Sequence, residues 1–219
     1  MKDLLIVKVG GSSISSPDLK LWVASMEKAA RPLVLVPGGG PFADVVRRFQ
    51  PVIGFDDDAA HHMAILAMEQ FGRALASLGD RLVAVASMEA IRRELDAGRI
   101  PVWMPAKLAL RAGEIPRNWS VTSDSLAAWL AGQFSGCSLC LIKQLDMPEG
   151  STLDAISAAG VVDSSFVKLL HPETSVYVAG PSDLTLAAKR LSGGGVPGRA
   201  IPRSTCLLYT SDAADDSLR

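Results

Sequence analysis

The chain has 219 residues, 48% of them apolar, and a formal net charge of −1. That length suits one large domain or two lobes on a shared core, and the near-neutral balance offers no broad basic field for nucleic acid. No run approaches the ~18 apolar residues of a membrane span, and a start carrying Lys2, Asp3 and Lys8 is unlike a signal peptide, so a cytoplasmic protein without nucleic-acid or membrane partners is expected.

In chain order, the predicted strand Leu4–Val9 runs into Lys8-Val9-Gly10-Gly11-Ser12-Ser13. One cation and bare glycine N–H groups at a strand tip suit a phosphate. Lys8 alone would also fit a surface lysine beside a glycine turn. After a helix over Pro17–Ala30, a second strand, Leu33–Val36, leads through Gly38-Gly39-Gly40 into a helix over Pro41–Phe49. Three glycines there allow close approach of a ligand. Asp44 follows by one turn and faces the same mouth, either as a ligand partner or as an acid favoured near a helix start. The long helix Asp57–Leu78 carries His62, Leu66 and Glu69 on one face; these line an acceptor pocket or serve packing. Strand Leu82–Ala86, helix Met88–Ala97 and strand Ile100–Trp103 complete the first half.

In the second half, Trp119–Ser125 leads into a helix over Ser123–Phe134. Hydroxyls such as Thr122 and Ser123 at a helix start cap it or hold an oxyanion. Asp124 there either orients a lysine or is a plain N-terminal acid. Strand Ser138–Lys143 ends in Lys143, at the edge where ligands of such sheets bind. Helix Leu153–Ala158, the segment Val162–Lys168, strand Ser175–Ala179, helix Ser182–Leu191 and a short strand Arg199–Ile201 follow. Gly193-x-Gly195-x-x-Gly198 follows a helix and contains Pro197, so it reads as a loop, and no P-loop pattern is present. Cys137-x-x-Cys140 has no second pair and reads as core thiols of a reducing compartment. No residue set reads as metal-ligating. Residues 204–219 look like a translated sequencing-adapter read-through and are set aside as a non-native or disordered tail.

Strands alternating with helices predict an α/β fold, a three-layer αβα sandwich with a mostly parallel central sheet. Ligands of such sheets bind beyond the carboxyl ends of the strands, where both glycine turns lie. Two such turns suggest one site for two charged ligands, a donor and an acceptor, and so a kinase of small molecules.

Together these motifs resemble the amino acid kinase family, over about residues 1–203, with an acceptor lobe of about 1–115 and a nucleotide lobe of about 116–203. The marks are Lys8–Gly11, Gly38–Gly40, Thr122–Asp124, Leu141–Asp146 and Asp163–Lys168. The resemblance implies ATP with Mg²⁺ as donor. It implies that Lys8 and Lys168 flank the transferring phosphoryl group and that Asp124 holds them. It further implies that Gly10, Gly11, Gly39 and Gly40 donate N–H groups, and that Ser12, Lys143 and Asp146 lie with the nucleotide. Val162–Ser165 stands where the family usually reads Thr-Gly-Gly-Met, which leaves Lys143 or Lys168 as the second bridging lysine. Acceptor residues would be Gly38, Gly39, Gly40, Asp44, His62, Glu69, Thr122 and Ser123. Pro37–Asp44, His62–Gln70 and Trp119–Ala131 look like one branch, the aspartokinase-like kinases of methanofuran-type cofactor synthesis. Those enzymes convert an aminomethyl-furan methyl phosphate to its diphosphate. An acceptor with one phosphate and one ammonium suits the glycines and Lys8 at one end and Asp44 or Glu69 at the other. The alternatives are a kinase of another acceptor, for which Arg47 or Arg48 would meet a carboxylate, and a non-catalytic nucleotide- or oxyanion-binding protein of the same fold. A homo-oligomer joined through the long helix is the expected assembly.

Overall fold

The computed structural model describes residues 3–203; the expectations for Met1, Lys2 and the tail from 204 onward lie outside them. The elements are β1 (Leu5–Val9), α1 (Leu19–Met26), β2 (Leu33–Pro37), α2 (Gly40–Ile53), α3 (Asp57–Ala76), β3 (Leu82–Val85), α4 (Met88–Asp96), β4 (Ile100–Trp103), α5 (Ala106–Ala109), α6 (Ser123–Ala131), β5 (Ser138–Ile142), α7 (Leu153–Ala158), α8 (Phe166–Leu169), β6 (Ser175–Ala179), α9 (Leu184–Ser192) and β7 (Arg199–Ile201). The strands form one sheet in the order β3-β4-β2-β1-β5-β6-β7. Every pairing is parallel except β6 with β7. Among the described residues no helix is long and apolar enough to cross a membrane.

Strand alternation decides which side chains go where. On β1, Leu5, Val7 and Val9 join one apolar layer with Trp22 and Met26 of α1, Phe71 and Leu75 of α3, and Leu191 of α9. Leu4 and Ile6 join the opposite layer, with Ile91 of α4 and Leu126 and Leu130 of α6. Lys8 is in phase with Leu4 and Ile6 and so faces α6. In β5, Leu139 and Leu141 belong to that same layer, and Lys143, two residues on, shares their side. The 2-residue period thus aims both lysines at one helix. Cys137 and Cys140 are buried and unpaired in opposite layers, where burial raises both thiols' pKa.

α6 is buried nearly all round, from Ser123 to Ala131 with only Trp129 partly exposed, as expected of a helix apolar on all faces. Its acid at the first turn is therefore carried inside. α2 runs four residues beyond its predicted end. Pro51 falls in its last turn, where its missing N–H forfeits one backbone bond to the preceding turn, and Gly54, at φ 83°, closes the helix with an N–H bond to Gln50 O at 2.8 Å. The short helix α5 was not foreseen. It starts where the Ala106 N–H donates to Glu69 Oε1 at 2.9 Å.

The chain builds β1 and β2 and then β3 and β4 to one side, and returns past β1 to build β5, β6 and β7 on the other. β1 and β5 are thus the seam at which strand order reverses, the place where open α/β sheets hold ligands.

Candidate active site

At this seam Lys8, Asp124 and Lys143 meet. Lys8 Nζ lies 2.8 Å from Asp124 Oδ1, and Lys143 Nζ lies 2.6 Å from Oδ2. Lys143 also donates to Val161 O at 2.6 Å. The Lys8 contact is an ion pair without hydrogen-bond alignment, which leaves Oδ1 with no hydrogen-bond partner. All three side chains are at most 12% exposed. Burial alone would raise the Asp124 pKa, but the two ammoniums outweigh it and hold the carboxyl below the usual aspartate value. Burial, then the like charge of Lys8, lowers the Lys143 pKa against the pull of Asp124. Two buried cations share the Asp124 carboxylate, with the Asp163 carboxylate also acting on Lys143, and two such ammoniums at the strand tips can stabilise charge on a phosphoryl group.

The expected trio of Lys8, Asp124 and Lys168 is therefore corrected: Asp124 takes Lys143. Lys168 is exposed and lines a separate cavity of about 510 Å³ with Glu114, Gln133 and His171. The residue that fixes the start of α6 is Asp163. Its carboxylate accepts from Thr122 N at 2.9 Å, Thr122 Oγ1 at 2.7 Å, Ser125 N at 3.1 Å, Ser165 N at 3.2 Å and the Ser125 hydroxyl. In the sequence Asp163 stood only as the first residue of the Asp163–Lys168 mark, with no role of its own.

The glycines have a second reason besides ligand approach. A Cβ on Gly11 would overlap Gly40 N and Cα, and one on Gly38 would overlap Gly11 N. Gly40 sits at φ 53°, where an added Cβ would come 2.6 Å from Gly11 O. The two loops touch backbone to backbone, so glycine is needed for packing. Not all of their N–H groups are available: Gly10 donates to Ile142 O at 3.2 Å and Gly38 to Val9 O at 2.9 Å. The N–H groups of Gly11, Gly39 and Gly40 have no acceptor among the described residues, and these three glycines line the neighbouring cavity.

That cavity, of about 280 Å³, is bounded by Gly11, Ser12, Gly39 and Gly40 at one end. Asp44, Arg47, His61 and Trp119 line it further out, and Ile65, Met68, Val121 and Leu126 form apolar wall. Thr122 and Ser123, just before Asp124, also line it, which sets it beside the lysine cluster. Ser12 thus faces this cavity rather than the side of Lys143. Asp44 is paired with Arg47 at 3.1 Å, and the Arg47 guanidinium lies over the Trp119 ring, 4.4 Å from its centre. The Trp119 loop is tied down by Trp119 Nε1 to Gln50 Oε1 at 2.6 Å and by Arg117 to Asp58 at 2.8 Å.

Three further expectations are redirected. His62 is exposed, and its neighbour His61, 5% exposed, lines the cavity. The His62–Leu66–Glu69 stripe does share a face, but the stripe that turns inward is His61–Ile65–Met68, which continues to Gly72 and Leu75. That longer apolar run was the signal for the correct phase. Glu69 is occupied as the cap of α5 and does not line the cavity. Asp146 accepts from Ser182 N at 3.0 Å and Ser182 Oγ at 2.8 Å, tying the loop after β5 to the loop after β6.

A family model described as "Amino acid kinase family" matches residues 3–146. The [5-(aminomethyl)furan-3-yl]methyl phosphate kinase of Methanocaldococcus jannaschii is 28% identical over 177 residues, which cover 75% of this chain and 82% of that protein. Among solved structures, uridylate kinase from Archaeoglobus fulgidus matches with a TM-score of 0.63 at 18% identity, over 92% of this chain and 100% of that one. UMP kinase from Ureaplasma parvum matches with a TM-score of 0.62 at 14% identity, over 83% and 91%. At these identities the two structures speak for the fold.

Proposed function

The chain belongs to the amino acid kinase family and is a small-molecule kinase, and from this we propose that it transfers the terminal phosphoryl group of ATP to a small phosphate monoester, giving a diphosphate. The acceptor we propose is [5-(aminomethyl)furan-3-yl]methyl phosphate, for which its Methanocaldococcus jannaschii relative is named. The observation that carries this reading is the two-ended cavity beside the lysine cluster. The free N–H groups of Gly11, Gly39 and Gly40 suit a phosphate next to Lys8, and the Asp44 carboxylate at the outer end suits an ammonium. The apolar wall between them suits a small ring.

In this reading Lys8 and Lys143 neutralise charge on the oxygens of the transferring group while Asp124 holds both ammoniums in place. Positioning and electrostatics then supply most of the rate. Mg²⁺ is expected to arrive with the ATP phosphates, whose charge it shares; two buried ammoniums at the strand tips fit such a phosphate chain. Removing either lysine is expected to cost about 10²–10³ in kcat.

A homo-oligomer is supported by the outer face of α2 and α3. Phe42, Val45, Phe49, Val52, Ile53, Met63 and Leu66 there are all exposed large apolar residues, and together they form a broad apolar surface. Sedimentation of the purified chain tests it, and a monomer at all concentrations would end the idea.

A second acceptor class is favoured by one observation: Arg47 lines the cavity, as a carboxylate acceptor would want, whereas Arg48 does not. The deciding experiment is ATP-to-ADP turnover with Mg²⁺ over a panel of acceptors. Turnover confined to the amino-furan phosphate supports the reading. Turnover with a carboxylate, lost in Arg47→Ala, would replace it with the second. If Asp44→Asn leaves both KM and kcat for the amino acceptor unchanged, Asp44 does not meet the amine.

A further inference from the structure

We infer that His61 Nε2 accepts a hydrogen bond from the protonated primary amine of the acceptor, which makes His61 a specificity-determining residue of the outer cavity. The inference rests on the acceptor reading above and extends it to a residue that the sequence motifs passed over.

The starting point is an imbalance. His61 is 5% exposed, and its Nε2 has no hydrogen-bond partner among the described residues. Buried polar atoms are nearly always partnered; Nε2 is itself closed to solvent, but His61 lines the cavity, and a turn of its ring toward the cavity would give this orphan a ligand partner. Its buried neighbours on α3, Ala60 and Ile65, and Ala64 on the cavity side are small or apolar, with Asp58 and His62 the nearest polar groups on the helix. An apolar side chain would have filled the His61 position without leaving an orphan.

Its place along the cavity selects the chemistry. α3 passes the glycine loop at Ala64, whose carbonyl oxygen would lie 3.8 Å from a Cβ on Gly39. His61 is about one helical turn further toward the start of α3, away from the strand tips. Phosphoryl transfer requires the acceptor phosphate at the strand tips, beside Lys8 and the free glycine N–H groups. His61 therefore meets the other end of the acceptor. Across the cavity from it stand Asp44 and Arg47 of α2; Asp58 and His62 lie on its own helix, and Arg117 approaches from the loop before α6. Burial, then the charge of Arg117, keeps the His61 pKa below its ordinary 6.5, against the opposing pull of Asp58. The imidazole is thus neutral at neutral pH. With its single proton on Nδ1 it presents a lone pair at Nε2. A neutral acceptor suits an ammonium, which a charged histidine would repel, and the Asp44 carboxylate across the cavity becomes its counter-ion by exchanging its Arg47 partner for the ligand.

The test uses the full chain and two acceptors, [5-(aminomethyl)furan-3-yl]methyl phosphate and the analogue with a methyl in place of the aminomethyl group. His61→Phe is expected to raise KM for the amine about ten- to a hundredfold, the range for a hydrogen bond to a charged group. Its kcat should change less than about threefold, because the contact is made equally in the ground and transition states. KM for the methyl analogue should stay within about threefold, and His61→Gln, whose amide oxygen can accept the same bond, should recover most of the loss. In the wild-type chain, the amine should depress the His61 pKa further, read from its imidazole resonances, and the analogue should not. Equal effects of His61→Phe on both acceptors, or a His61 pKa that rises when the amine binds, would overturn the role of His61 while leaving the acceptor in place. Failure of the wild-type chain to turn over the amine at all would overturn the acceptor reading and this inference with it.

Discussion

Replacing Asp124 by asparagine keeps the shape of the side chain and removes the only anion among the described residues in direct contact with both Lys8 and Lys143. The two ammonium nitrogens stand 2.8 and 2.6 Å from the oxygens of one carboxylate. That puts them no more than about 7–8 Å apart, where their bare repulsion at an effective dielectric of about 20 is about 2 kcal/mol. Losing the shared attraction as well brings the expected loss of stability to about 3–5 kcal/mol, the range for removing one partner of a buried pair. The variant has a second signature. In the unfolded chain Lys143 keeps its proton up to the ordinary lysine value of 10.5, whereas in the native wild-type chain burial and Lys8 already lower its pKa. Without Asp124 that pKa falls further. Between the two values the unfolded state binds more protons, so stability rises with pH, by up to about 1.4 kcal/mol per pH unit for one proton. Denaturant unfolding of both proteins from pH 7 to pH 10 should show a gap that is widest near neutrality and narrows as pH rises. A gap below about 1 kcal/mol, or one that does not narrow with pH, would refute the electrostatic coupling of the three residues.

Three further predictions follow from the same geometry. Lys143→Met should lower kcat by about 10²–10³ while Lys168→Met leaves it within about threefold; steady-state kinetics that reverse this order would return Lys168 to the site. Gly11→Ala should destabilise by about 1–3 kcal/mol, because its Cβ forces apart two touching backbones; an unchanged melting temperature would mean the loops are not in that contact. Asp163→Ala removes the common acceptor of Thr122, Ser125 and Ser165 and leaves buried donors unpaired. It should cost about 1–3 kcal/mol per uncompensated group and lower kcat through the start of α6. Wild-type activity and stability in this variant would show that Asp163 does not position Asp124.

The sheet was legible because strand and helix periods differ and each run was long enough to show one. The place of Lys8 at a strand tip was legible because it ends an apolar strand two residues before a glycine pair. The helical face that lines the cavity was not legible from a single turn: His61 and His62 are adjacent, and only the whole stripe down to Leu75 fixes the phase. Lys168 was misplaced because spacing along the chain carries no information on which face of the sheet a loop returns to. The strand alternation that aims Lys143 beside Lys8 did carry it. Asp163 stayed hidden because its partners, Thr122 and Ser125, are about 40 residues away in sequence and meet it only through packing.

The topology explains why one helix gathers so much of the site. After β4 the chain must pass back across β2 and β1 to reach the position of β5. This crossover runs from Met104 to Cys137 and lays α6 over β1, β2 and β5. It carries Trp119, Val121, Thr122 and Ser123 to the glycine-lined cavity and Asp124 to the two lysines. One carboxylate on it touches a lysine from each side of the seam, Lys8 from β1 and Lys143 from the end of β5. A shift of α6 by a fraction of an ångström therefore alters the cavity wall and the charge cluster together. Ligand at either end of the site has a stake in the same helix position, and the four-donor grip of Asp163 on the start of α6 is the contact that holds both ends in register.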